Sequence, residues 1–179
     1  MKKVFLIAAL SAISFAGFSQ TSKGTWLVGG DVGFSSSKYG EAKMTQIAVL
    51  PEAGYFVINN LVVGMAVKVS TATSNSGASG AADLKSSSAY FGPYVQYYFA
   101  SLGKNAKLYG SGIFAFGSSK QGSNASVQET GWGFSAGPAF FLNKNVSLEI
   151  GIGYTTAKLK GDTESSNSFG IQGGFQIHL

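Results

Sequence analysis

The stretch Val146-Ser147-Leu148-Glu149-Ile150-Gly151-Ile152-Gly153-Tyr154 decides the fold. Every even position carries a large apolar side chain, and every odd position carries serine, glutamate or glycine. A period of two places the two sets on opposite faces of one strand. The same rhythm runs through Trp26, Val28, Gly30, Val32 and Phe34, and through Ile47, Val49, Pro51, Ala53, Tyr55 and Val57. It continues in Leu61–Val69, Ala89–Phe99, Trp132–Leu142 and Phe169–Leu179, while Leu108–Phe116 alternates with an ambiguous phase. Eight segments of this kind, each about 9–11 residues or slightly longer, match the length of a tilted membrane-crossing strand.

Composition decides which face meets what. Only 12% of residues are charged and 45% are apolar, with 25 glycines, 14 phenylalanines and 8 tyrosines. No segment after residue 19 approaches the roughly 20 continuous apolar residues of a membrane helix. An apolar chain without such helices points to a closed barrel, the other backbone arrangement that leaves no polar group unpaired in lipid. The second face holds too much glycine and small polar material for a solvated exterior, so the apolar face is expected to point into lipid. A soluble lipocalin-like carrier, with its greasy face inward, is the soluble alternative.

The chain begins with Lys2 and Lys3, an apolar run from Val4 to Ala16, and the small residues Gly17-Phe18-Ser19. This order predicts an export signal over residues 1–19, cleaved before Gln20, followed by a single domain over 20–179. The formal net charge is +5, and all thirteen basic residues are lysines scattered mainly through connections. No basic face of the kind that binds nucleic acid is evident. Cysteine is absent, so no disulfide framework holds this exported domain.

Connection lengths alternate. Ile58-Asn59-Asn60 and Asn143-Lys144-Asn145 are predicted as three-residue hairpin loops ending in Asn, which tolerates the left-handed conformation. Residues 100–107 form a somewhat longer link. The remaining connections, about 36–44, 71–87, 117–128 and 157–166, are long and rich in Ser, Gly, Asn and Lys. Short periplasmic turns and long outer loops are the habit of membrane barrels. An even strand count then puts both termini in the periplasm. Aromatic residues concentrate near both strand ends, with Trp26, Tyr55 and Tyr97 toward the short turns and Trp132, Tyr154 and Phe169 toward the long loops. Two interfacial belts are expected at those levels. Pro51, Pro93 and Pro138 fall within strands and are read as a repeated hairpin feature, bulges near the inner rim.

Taken together, the signal, the eight segments, the Gly92-Pro93-Tyr94 and Gly137-Pro138-Ala139 hairpins and the ending Phe175-Gln176-Ile177-His178-Leu179 resemble the small outer-membrane barrels of Gram-negative bacteria, the OmpA-like, OmpX-like and OmpW-like group. The resemblance covers nearly all of residues 20–179. It implies an all-β, eight-stranded antiparallel up-and-down barrel in outer-membrane lipid, delivered to the barrel-assembly machinery through its last strand. Leu179 replaces the usual terminal Phe. The group includes stabilising, adhesive and transporting members, so the resemblance implies a place rather than a task.

An eight-stranded barrel has an interior that side chains just fill. The expected filling is Tyr90, Tyr94 and Tyr98 from one wall, set into space left by Gly170, Gly174 and other glycines of the opposite wall. The inward charges are Asp31, Glu52, Lys68 and Glu149, and an Asp31–Lys68–Glu52 ion network is expected at mid-height, since buried charges need partners. It serves packing or, in the sharper version, a gate. Catalysis has little to work with. The sole histidine, His178, is penultimate and lies at the short-turn end, away from where a barrel acyltransferase would need it. One histidine, no cysteine and dispersed carboxylates make no metal site, and no cofactor is implied. Two readings remain. One is a monomeric structural or surface-interaction barrel whose long loops, 71–87 above all, meet an external partner. The other is an OmpW-like conduit for small hydrophobic molecules, lined by Leu27, Leu50 and Tyr90.

Overall fold

Alternating β-branched and aromatic residues favour extended backbone, and in the computed structural model each alternating segment is a strand. The structure describes residues 21–39, 42–76, 83–122, 124–161 and 164–179, so the predicted export signal lies outside the described residues. The strands are β1 (Trp26–Tyr39), β2 (Ala42–Ile58), β3 (Leu61–Asn75), β4 (Leu84–Ser101), β5 (Ala106–Gln121), β6 (Val127–Phe141), β7 (Val146–Leu159) and β8 (Ser165–His178). Each pairs antiparallel with its chain neighbour, and β8 returns to β1 to close the barrel. Backbone bonds from Trp26 N to Leu179 O (2.9 Å) and from Leu179 N to Trp26 O (2.8 Å) finish the seam.

The apolar face points out. On β7, Ile150 and Ile152 are 57% and 56% exposed, whereas the adjacent Ser147 and Glu149 are 0% and 1%. All six aromatic residues expected at the belts lie on the outer surface: Trp26, Tyr55, Tyr97, Trp132 and Phe169 are exposed, and Tyr154 packs against Trp132 and Phe134. Trp26 meets Tyr55 edge-on at 5.2 Å on the short-turn side. The ambiguous fifth segment resolves as Phe114 and Phe116 outward with Tyr109 and Ala115 buried inward. Its phase is hard to read because Gly110 and Gly112 occupy outward positions and the apolar Ile113 lines the lumen.

The strands run farther than the alternation does. Pairing between β3 and β4 extends up to Ser74–Leu84, and between β5 and β6 to Ser119–Val127, inside stretches read from sequence as loops. Apart from Leu84 and Val127 these extensions are mainly polar, so the ladder continues without a period-two hydrophobic signature. At the other end, β2 and β3 join through Asn59 and Asn60, the latter at φ 68°, as expected for a left-handed Asn. Asn145 keeps negative φ and uses its side chain instead: its own amide N–H bonds Asn143 Oδ1 at 2.8 Å, and its Nδ2 reaches His178 O at 2.7 Å.

The prolines are not bulges. Around each one the ladder to the following strand skips two residues and resumes in the same register: from Val49–Val69 to Glu52–Ala66, from Phe91–Phe116 to Tyr94–Ile113, and from Ala136–Ile152 to Ala139–Glu149. The ladder to the preceding strand is unbroken, with Pro51 opposite Gly30, Pro93 opposite Met65 and Pro138 opposite Leu108. The missing N–H therefore always falls on the same side. True register shifts lie nearer the turns, at Phe56/Ile58 and Tyr98/Ala100. The glycine before the second and third prolines is explained by close approach. A Cβ on Gly92 would strike Phe114 O, and one on Gly137 would strike Ile150 O. These are the carbonyls opposite Pro93 and Pro138, which have no N–H to offer them.

Gly137→Ala is expected to lower stability by about 1–3 kcal/mol, the usual result of overpacking. Gly112→Ala, whose Cβ would meet nothing nearer than 3.9 Å, should stay within about 0.5 kcal/mol of the parent. Urea titration of the lipid-folded barrel measures both, and equal effects would refute the close-approach account.

Candidate functional site: the barrel lumen

The inward residues divide the lumen into two halves. Toward the short turns, Leu27, Phe56, Val62, Tyr98, Tyr109 and Phe141 form a buried cluster. Phe56 stacks on Tyr98 at 6.1 Å and on His178 at 5.8 Å, and Phe141 lies 5.4 Å from His178. Below them the chain entering β1 crosses the mouth. Thr21 is buried and donates to Asn60 Oδ1 at 2.5 Å, while Lys107 Nζ reaches Thr21 Oγ1 at 2.6 Å and Asn60 Oδ1 at 2.9 Å.

Polar bridges lie over and within this cluster. Gln96 Nε2 and the Tyr98 hydroxyl donate to Glu149 across the barrel, at 3.1 and 2.6 Å to Oε1. Gln176 Nε2 donates to Glu52 Oε1 at 2.8 Å. Gln172 Nε2 donates to Asp31 Oδ2 at 2.6 Å and lies 3.2 Å from Ser135 Oγ, which in turn bonds Ser111. Toward the long loops the lumen widens into a cavity of about 650 Å³, floored by Asp31, Glu52 and Tyr94 and walled by Lys68, Ser70, Ser88 and Tyr90 among others.

The register explains how long polar side chains fit. Glu52 and Gln176 sit on either side of Gly29, which pairs with both, and a Cβ on Gly29 would strike Gln176 Oε1. Asp31 folds over Gly174, with which it pairs. Glycine is thus the gap through which β2 and β8 exchange a hydrogen bond.

Against this geometry, the expected sites fall as follows. Asp31, Glu52, Lys68 and Glu149 all face the lumen, but the Asp31–Lys68–Glu52 ion network does not form; among the described residues the carboxylates take amide and hydroxyl donors instead. Lys68 is two strands from Asp31 and lies opposite Tyr90, while the glutamines reach the acids over glycines. Tyr90, Tyr94 and Tyr98 point inward, yet the glycines that Tyr90 and Tyr94 cover are one or two strands away rather than on the far wall. Tyr94 covers Gly54 and Gly64, and Tyr90 covers Gly117. Sequence reasoning missed Gln96, Gln172 and Gln176, whose inward parity and register were the available signals. It also missed Glu129, which accepts hydrogen bonds from Tyr90 and Ser119, because β6 starts before its alternation does. His178 Nε2 lies 3.1 Å from Ser147 Oγ, a serine–histidine pair with both residues buried at 0–1% exposure. Of the conduit lining expected, Leu50 and Tyr90 border the cavity, but Leu27 belongs to the buried cluster beneath it.

Residues 5–179 match the family described as outer membrane protein beta-barrel domain. The chain belongs to this family. It is an outer-membrane β-barrel of the Gram-negative type, and solved structures of the same fold agree. Neisserial surface protein A superposes with a TM-score of 0.63 at 20% identity, covering 87% of this chain and 99% of that one. Outer membrane protein OprG of Pseudomonas aeruginosa gives 0.51 at 15% identity over 90% and 99%. The N-terminal barrel domain of OprF from the same organism gives 0.50 at 13% over 88% and 98%. No curated protein matches the chain.

Gln176→Leu should strand the Glu52 carboxylate and lower stability by about 1–3 kcal/mol. Adding Glu52→Leu should restore most of that loss, because the unpaired group is then gone. A double-mutant cycle on the urea midpoints measures the coupling, and simple additivity would show that the two groups do not interact.

Proposed function

We propose that this chain is a non-conducting, non-catalytic outer-membrane barrel, monomeric, with a structural or surface-interaction role. Short turns and both termini lie in the periplasm, residues 1–19 are removed on export, and the last strand is what the barrel-assembly machinery reads. The long-loop end then faces outside, where an external partner would meet it. The observation that carries this reading is the packed cluster of Phe56, Tyr98, Tyr109, Phe141 and His178, capped by the Thr21–Asn60–Lys107 contacts and bridged by Gln96 and Glu149. A lumen filled across its width by aromatic rings offers no water path. The Ser147–His178 pair sits inside that packing, where no substrate reaches it. The hydrophobic-conduit reading draws less support, because charged and hydroxyl side chains, Asp31, Glu52, Lys68, Ser70, Ser88 and Glu129, interrupt the apolar lining of the open half of the lumen.

In planar bilayers the folded protein is expected to show no conductance steps, whereas a Phe56→Ala/Tyr98→Ala/Phe141→Ala variant should conduct. Heat-shifted gel mobility checks that the variant is folded. Steady conductance by the parent chain would overturn the proposal.

A further inference from the structure

The open half of the lumen has the dimensions of a ligand site: about 650 Å³, within the roughly 300–1,000 Å³ of small-molecule pockets. Its charged groups are unequally satisfied. Asp31, Glu52, Glu129 and Glu149 each accept hydrogen bonds from glutamine, tyrosine or serine. Lys107, at the closed end, is held by Thr21 and Asn60. Lys68 is different. It lines the cavity, as does the more exposed Lys120, and among the described residues no carboxylate, amide or hydroxyl bonds the Lys68 ammonium. Its cross-strand neighbour Tyr90 has given its hydroxyl to Glu129. An ammonium set in a barrel wall without a partner is costly, and it presents three N–H donors to whatever enters.

The surroundings narrow the class of guest. Gln46 Nε2 bonds Ser70 Oγ at 3.1 Å, and Ser70 bonds Ser88 at 2.7 Å. This chain of small polar groups lies one step from Lys68 toward the opening. Ser111 and Ser135 line the cavity farther round the barrel, on β5 and β6. A fatty-acid tail would lie against Asp31, Glu52, Glu129 and the serines as well as against Leu50, Ile113 and the alanines of the wall. A divalent metal would find no group of three ligating side chains among the described residues. A hydroxylated body with one anionic group satisfies both the walls and the lysine.

We propose that the vestibule binds a small polyhydroxylated anion, a sugar acid or sugar phosphate, with its carboxylate or phosphate on Lys68 and its hydroxyls on the serine and glutamine groups above. Charge-assisted bonds of this type are roughly twice as strong as neutral ones, so Lys68 carries most of the selectivity. The site deepens the closed-barrel reading by giving its outward-facing half a ligand.

The test is calorimetric titration of the full folded chain with glucuronate, glucose 6-phosphate, glucose and hexanoate. Saturable binding of glucuronate, glucose 6-phosphate or both is expected, at least tenfold tighter than glucose, with no binding of hexanoate. Lys68→Met should weaken anion binding at least tenfold, and Lys68→Arg should largely keep it. Should Lys68→Met fail to fold, Lys68→Gln replaces it with a polar side chain of similar reach. Binding of glucuronate alone or of the phosphate alone supports the site and identifies which anion it prefers. Absence of saturable binding by either, or equal binding after loss of the Lys68 charge, overturns the proposal; binding of hexanoate as tight as glucuronate overturns the polar-wall argument. Conductance of the parent chain would defeat the closed-barrel reading without altering these titrations, so the two failures are distinguishable.

Discussion

Everything in this structure follows from one constraint: inside hydrocarbon, no backbone N–H or C=O can turn to water for a partner. A sheet satisfies that constraint only when it has no edge. The closing ladder from Leu27–His178 to Phe34–Ile171, tied off by Trp26 and Leu179, is therefore the contact on which the rest depends. Closure at eight strands fixes a narrow lumen, and the narrow lumen fixes what the inward residues can be. The prolines show how tightly the constraint is observed. Each removes one N–H toward one neighbour, and the register across the gap is preserved.

Within the narrow lumen, size complementarity replaces the ordinary hydrophobic core. A large side chain is accommodated where a strand one or two places away has glycine: Tyr94 over Gly54 and Gly64, Tyr109 over Gly151, Glu52 with Gln176 over Gly29. The rule works between strands no more than two apart because their inward side chains share one arc of wall. It also explains how carboxylates live in the lumen without lysine partners. Glutamine is long, neutral and a two-N–H donor, so it satisfies an acid without adding a second buried charge.

The fold was legible because lipid imposes a strict period of two on residues such as Leu148, Ile150 and Ile152. Legibility stopped where lipid stops. Strand ends such as Thr71–Asn75 and Val127–Glu129 continue the ladder with mainly polar residues, Ala72 and Val127 aside, so little in their pattern separates strand from loop. The lumen was only half legible. Parity alone assigned Asp31, Glu52, Lys68, Glu149 and the three strand-four tyrosines to the inside. Partnerships were not readable from charge, since opposite sign suggested Lys68 for the acids whereas reach over glycine selected Gln172 and Gln176. The cap made by Thr21, Asn60 and Lys107 joins residues up to 86 positions apart, a distance that no local pattern encodes.

The central claim is that the apolar face meets acyl chains and the glycine-rich face meets the lumen. Because the chain has no cysteine, single cysteines placed at 147 to 152 carry a nitroxide label at one site each. Collision with dissolved oxygen, which concentrates in lipid, against a water-soluble nickel chelate reads out each label's surroundings in a bilayer. Positions 148, 150 and 152 should be oxygen-accessible, and 147, 149 and 151 shielded from it. The opposite phase, or no period of two, would contradict the account.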